Sequence, residues 1–222
     1  MTASSSASAA ADNGIRVRAR AAAAVSAVLH GGRRLEDSLD YSELAPRDRA
    51  LLRELATGTV RWAIRLRAVL DGLLDRPLKA GAERVEALLL VGLYQIAHTR
   101  VPAHAAVNST VGAASGKQAW ARKLVNGVLR RFQREMDDLL AAADARGPAV
   151  RTAHPQWLVD ALATAYPDGW EAILTANNEA PPLTLRVDGD RAGYLAELAE
   201  AGIDAEADPA VDTAVGLREF LP

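Results

Sequence analysis

The 222-residue chain contains no cysteine. That absence excludes a disulfide framework, thiolate metal sites and any cysteine nucleophile within it, and it fits a reducing compartment. Long apolar runs are also missing. None approaches the roughly 18 residues of a membrane span. The opening stretch, MTASSSASAAADNG, lacks the basic start and leucine-rich segment of a signal peptide. Residues 1–14 therefore read as a disordered Ser/Ala tail, and the protein is expected in the cytoplasm. Histidine is scarce. His30, His98, His104 and His154 are isolated, and none has a second histidine and a carboxylate at metal-ligand spacing. No metal site is expected, and His98 and His104, flanking Pro102, read as turn or cap residues. There is no Gly-rich phosphate loop, no strand–GxGxxG–helix pattern and no arguable Ser/His/Asp arrangement. The residues alone point to no catalytic and no cofactor-binding position.

Each half of the chain is poor in one sign of charge. Residues 1–134 hold 21 Lys and Arg against 11 Asp and Glu, whereas residues 135–222 hold 5 against 17. Such a split suggests two domains with different tasks. An excess of ten positive charges on one compact domain would attract nucleic acid, with affinity that falls steeply as salt rises.

What is present is helical periodicity. Residues 15–31 are alanine-rich, with Val25, Val28 and Leu29 as an apolar stripe and Gly31–Gly32 as a stop. Arg16, Arg18 and Arg20 spread around this helix and are candidate phosphate contacts, since a guanidinium can bond two oxygens at once. A basic, solubilising N-terminus is the competing reading. Pro46 can open a helix, and Asp48 suits its first turn. Gly58 is expected to divide residues 46–75 into two helices near residue 59. Trp62, Leu66, Val69, Leu70 and Leu73 form the second stripe, with Trp62 read as core.

Residues 83–134 are the most strongly patterned stretch. Val85, Leu88, Leu89, Gly92 and Ile96 share one face, Pro102 restarts the helix, and Leu124, Val125, Val128, Leu129 and Phe132 share another face. Lys123, Arg130, Arg131 and Arg134 fall off that last stripe. Their basic face is either solvated surface or a phosphate-binding site. Asn108 and Asn126 read as structural, fixing helix register. Together these segments predict an all-α bundle of about six helices.

The Gly147–Pro148 pair, in the linker DARGPAVRT, marks the expected domain boundary. Beyond it, two helices separated by Pro167 precede a strand at 182–188, a helix at 191–201 and a short strand at 211–217. The overall expectation is a mainly α protein: a helical domain over 15–146, then a small α+β unit over 154–222. Little chain is left there to finish a sheet, and the final strand has no evident partner.

Several blocks resemble one family. They are RDRALLRELATGTVRW at 47–62, RPLKAGAERVEALLLVGLYQIAHTRVPAHAAVNSTV at 76–111 and KLVNGVLRRF at 123–132. HPQWLVDALATAYPDGWEAILTANNEAPPLTLRVD at 154–188 joins them. In this order they resemble the N-terminal portion of the RsmB (Sun/Fmu) family, which methylates cytosine C5 of small-subunit ribosomal RNA with S-adenosylmethionine. The first block set alone also matches NusB, the RNA-binding antitermination factor.

The resemblance implies a NusB-like RNA-binding domain followed by the small subdomain that precedes the methyltransferase domain. The family's cofactor glycines and its two catalytic cysteines have no counterpart here. Alone, the chain is expected to be inactive, and S-adenosylmethionine belongs to a catalytic domain this chain lacks. The implied partners are small-subunit ribosomal RNA and a methyltransferase domain or subunit, with no membrane. A stand-alone factor in antitermination or ribosome assembly is the alternative. The expected RNA contacts, taken from basic clustering, are Arg16, Arg18, Arg20, Lys123, Arg130, Arg131 and Arg134.

Overall fold

Helix α4 (Glu83–His98) is enclosed on all sides. Every residue from Ala87 to Gln95 is buried, so the single apolar face expected from periodicity extends around the whole helix. In this computed structural model the described residues are 2–179, 181 and 183–218, with side chains described from residue 12 onward. Around α4 stand α1 (Thr2–Leu29), α2 (Pro46–Arg61), α3 (Ala63–Leu73), α5 (Ala103–Ala113) and α6 (Arg122–Asp144). Val17, Ala21, Ala24 and Val25 of α1, Leu52 and Leu55 of α2, Leu66 of α3, and Val125, Leu129 and Phe132 of α6 complete one continuous core. Short 3-10 helices, of one turn at Glu36–Ser38 and two at Gly116–Ala121, lie in the connections.

Three departures from the expected elements have physical causes. First, α1 begins at Thr2, so residues 2–14 extend a helix where a disordered tail is expected. That stretch has no proline and five alanines, and alanine is the strongest helix former. Second, α2 runs through Gly58 and stops at Arg61. A Cβ on Gly58 would lie 2.0 Å from the Tyr94 ring. The glycine lets α2 and α4 approach closely and breaks nothing.

Third, the chain does not leave the helical unit at Gly147–Pro148. Gly147 has φ of 132°, a conformation that favours glycine, and it turns the short α7 (Pro148–Arg151) back onto α3 and α6. Val150 packs against the core. The two compact units are Met1–Glu171 and Ala172–Pro222. Helix α8 (Gln156–Ala165) belongs to the first, and α9 (Trp170–Asn178) crosses the division.

The second unit contains β1 (Leu183–Arg186), α10 (Arg191–Glu200), β2 (Ala205–Ala207) and β3 (Ala214–Leu217). The sheet is antiparallel with order β1-β3-β2, and Val215 faces Leu185 on one side and Ala207 on the other. The last strand is thus central and paired on both edges, which corrects the expectation of an unpartnered strand. Leu198 of α10 packs with Val215 and Leu217. Asp190 caps α10 by accepting from the Ala192 N–H at 3.0 Å. Among the described residues no helix is long and apolar enough to cross a membrane.

Candidate nucleic-acid interface

The three arginines of α1 do not form a patch. Arg18 is 4% exposed. Its Nε donates to Gln95 Oε1 at 2.9 Å and its NH1 to the Gly14 carbonyl at 3.2 Å. Gln95 in turn donates to Thr110 Oγ1 at 3.2 Å, and Thr110 donates to the Ala106 carbonyl at 2.7 Å. This buried chain of polar groups joins α1, α4 and α5. Burial holds the Arg18 guanidinium below its ordinary pKa, with Asp48 opposing. Arg18 is therefore part of the core and out of reach of a phosphate, which corrects its assignment as an RNA contact.

Arg20 is committed to a loop. It donates to the Asp40 carbonyl at 3.1 Å and to the Ser42 carbonyl, and its Nε lies 3.4 Å from Asp40 Oδ2. Arg16 donates to Asn13 Oδ1 at 2.8 Å and pairs loosely with Glu43 at 3.7 Å. Both side chains secure the chain around residues 40–43 to α1.

Helix α6 gathers the remaining candidates. Lys123, Gly127, Arg130 and Arg134 are spaced by four, three and four residues, so they fall on one helical stripe, and all four are exposed. Arg130 Nε donates to Asn126 Oδ1 at 3.0 Å. Arg134 contacts Glu135 at 3.4 Å, and Arg131, beside the stripe, donates to Glu135 Oε2 at 2.8 Å. Asn126 thus serves a surface cation, and Asn108 is exposed, so neither fixes helix register in the core.

No Asp or Glu occurs between Glu86 and Glu135. Consequently the 116–121 turn, with Lys117, and the first half of α6 present cations without neighbouring acids in sequence. Glu135 has non-helical angles, φ −119° and ψ 22°, and kinks α6. Past the kink the helix carries Asp137, Asp138 and Asp144.

Gly127 has no packing reason to be glycine. A Cβ there would meet nothing within 4 Å. By contrast, a Cβ on Gly92 would lie 2.7 Å from Leu129, so close helix packing requires that glycine. Glycine inside a helix is less stable than alanine by roughly 0.5–1 kcal/mol. At Gly127 that loss leaves a flat gap in the middle of the cationic stripe, where a sugar–phosphate backbone has room to lie against the helix. Periodicity alone passes over this residue, because a helical glycine reads as a weak point. The visible signal is the acid-free run around it.

Trp62 packs against the core, as expected. It stacks on His98 with centroids 4.6 Å apart, and Tyr94 stacks on His98 at 5.4 Å. Tyr94 donates to Glu54 Oε1 at 2.6 Å, and burial with this bond pushes its phenol pKa well up. Burial, with help from Arg65, pulls His98 down to about 4, and its Nε2 is buried without a partner. His98 is thus an aromatic-stack residue at the end of α4. Among the described residues no group of three or more His, Asp or Glu is placed to hold a metal ion.

The NusB family matches residues 15–134, and the Methyltr_RsmF/B-like ferredoxin-like domain matches residues 154–222. The ribosomal RNA small subunit methyltransferase B of Pseudomonas putida is 52% identical over 196 residues, covering 86% of this chain and 45% of that protein. The protein of the same name from Escherichia coli O7:K1 is 41% identical over 193 residues, covering 84% and 44%. The chain thus spans about half the length of the curated relatives it matches. The crystal structure of PH0851 superposes with a TM-score of 0.54 at 14% identity, over 95% of this chain and 49% of that one, a likeness of fold. The chain belongs to the NusB family through residues 15–134 and continues, over residues 154–222, into the ferredoxin-like domain of the RsmF/B-like methyltransferases.

Proposed function

We propose that this chain is the RNA-gripping N-terminal portion of a small-subunit (16S) ribosomal RNA cytosine-C5 methyltransferase of the RsmB type. It holds and orients ribosomal RNA for a catalytic domain that binds S-adenosylmethionine. The observation that carries the reading is the Lys123–Gly127–Arg130–Arg134 stripe within an acid-free stretch. Three exposed cations on one helix face displace condensed counterions when they meet successive phosphates, and that release drives binding. Arg131 contributes less, because Glu135 already engages it at 2.8 Å. Arg16 and Arg20 act by shaping the loop beside α1. A cytoplasmic location follows from a ribosomal RNA substrate.

The test is the salt dependence of binding to a small-subunit ribosomal RNA fragment. Lys123→Ala, Arg130→Ala and Arg134→Ala are each expected to weaken binding across sequences and to reduce the slope against log salt by about 1. Unchanged affinity and slope in all three would refute the assignment. A second reading, a NusB-like factor in transcription antitermination or ribosome assembly, is favoured by one observation: the stripe lies wholly within the NusB match. Recovery of the native protein with transcription complexes, and without ribosomal RNA precursors, would select it.

A further inference from the structure

We propose that Trp120 is a stacking platform for an unpaired nucleobase, set at the head of the α6 stripe; this rests on the RNA reading above. Trp120 is 63% exposed. It lines a shallow cavity of about 460 Å³ together with Pro77, Leu78, Lys79 and the turn ending at Ala82. That volume lies within the usual range for small-ligand sites. The turn is tight: Ala82 N–H donates to the Lys79 carbonyl at 3.1 Å, and Gly81 takes φ of 87°. A Cβ at Gly81 would meet nothing within 4 Å, so the turn leaves open space on that side of the cavity.

The surrounding charge selects the occupant. Side chains three apart in a 3-10 helix eclipse, so Lys117 shares a face with Trp120 in the Gly116–Ala121 turn. Lys123 follows three residues later, in the first turn of α6, and Lys79 lines the cavity itself. The nearby acid, Glu83, accepts from the Gly81 N–H at 3.1 Å. A nucleotide offers a flat ring and an anion a few bonds apart, the same pairing as an indole beside ammonium groups. The base must be unpaired, because a base within a duplex has both faces covered. Trp157 is exposed as well, at 69%, but stands in the acidic part of the chain, where a polyanion is repelled.

The experiment uses the full chain and two labelled RNAs, a single-stranded oligoribonucleotide of about ten nucleotides and a blunt duplex of equal length. Trp120→Ala is expected to weaken single-strand binding roughly tenfold, toward the low end for one base–aromatic stack, and to leave duplex binding unchanged. Trp120→Phe is expected to restore most of the loss. Stacking releases no counterions, so the salt slope of Trp120→Ala stays at the wild-type value, unlike that of Arg130→Ala. Equal single-strand affinity of Trp120→Ala and wild type would overturn the platform and leave the cavity to a protein partner. If neither RNA responds to Arg130→Ala or Arg134→Ala, the RNA reading itself fails, a different pattern from the first.

Discussion

Replacing Arg18 with methionine decides whether its guanidinium serves the fold or a ligand. Methionine fills much of the same space, so the substitution mainly removes a charge and two hydrogen bonds. Two effects oppose each other. Keeping a guanidinium out of water without a direct ion pair, Asp48 acting only at a distance, is unfavourable by several kcal/mol, and methionine relieves that. Against this, a hydrogen bond to a charged donor is lost, roughly 1.5–3 kcal/mol, and Gln95 Oε1 is left buried without a donor, a further 1–3 kcal/mol or so. The first two nearly cancel, so Arg18→Met is expected to destabilise by about 1–3 kcal/mol.

Gln95→Leu is the harsher change. It leaves the buried cation with the Gly14 carbonyl alone, and a loss of roughly 3–5 kcal/mol is expected. The double variant strands no group, because Thr110 still donates to the Ala106 carbonyl. It is expected to be more stable than Gln95→Leu alone, with a coupling energy of about 2 kcal/mol. Urea unfolding followed by far-ultraviolet circular dichroism measures all four proteins. RNA affinity of the Arg18→Met protein should match wild type. Additive free energies would refute the argument, as would a fully stable Arg18→Met protein that binds RNA several-fold less well.

Two glycines in helices should respond oppositely to alanine. Gly58→Ala is expected to destabilise by about 2–3 kcal/mol, because the new methyl would strike a Tyr94 ring anchored by Glu54; Gly127→Ala should stabilise by roughly 0.5–1 kcal/mol in thermal melts. His98 makes stability depend on pH. Its folded pKa of about 4 lies below the ordinary 6.5, so its contribution is complete above pH 6.5 and is lost as pH falls toward 4. The full shift sets a ceiling of roughly 3 kcal/mol, reduced to about 1–2 by the ring's partial exposure. The difference between wild type and His98→Phe, followed by urea midpoints from pH 7 to 4, isolates it. A difference that stays flat across that range would show that His98 is hydrated when folded.

Helix α6 was legible in the sequence because everything that defines it is local. An apolar stripe of period 3.6 and a basic stripe beside it both fall within a dozen residues. Arg18 was not legible. Its neighbours Arg16 and Arg20 face the surface loop, and only Gln95, 77 positions away, reveals that Arg18 turns inward. Gly58 shows the same limit, since its reason for being glycine is a tyrosine on another helix. The strand β2 is hidden for the same reason. Ala-Glu-Ala has little intrinsic preference for a strand, and only pairing with β3 makes it one. Gly147–Pro148 reads in the sequence as a linker and domain boundary, but a Gly-Pro pair marks only a change of direction and says nothing about whether the next helix packs back.

The kink at Glu135 gives α6 an electrical polarity along its length. Its 23 residues span about 35 Å, with cations before the kink and carboxylates after it. The helix macrodipole points the same way, positive at Arg122. In the field of a polyanion such a rod experiences a torque as well as an attraction. It swings until its first half faces the strand and its second half points away. In the RNA reading proposed above, this helix favours one heading of approach, and its carboxylates end the track along it.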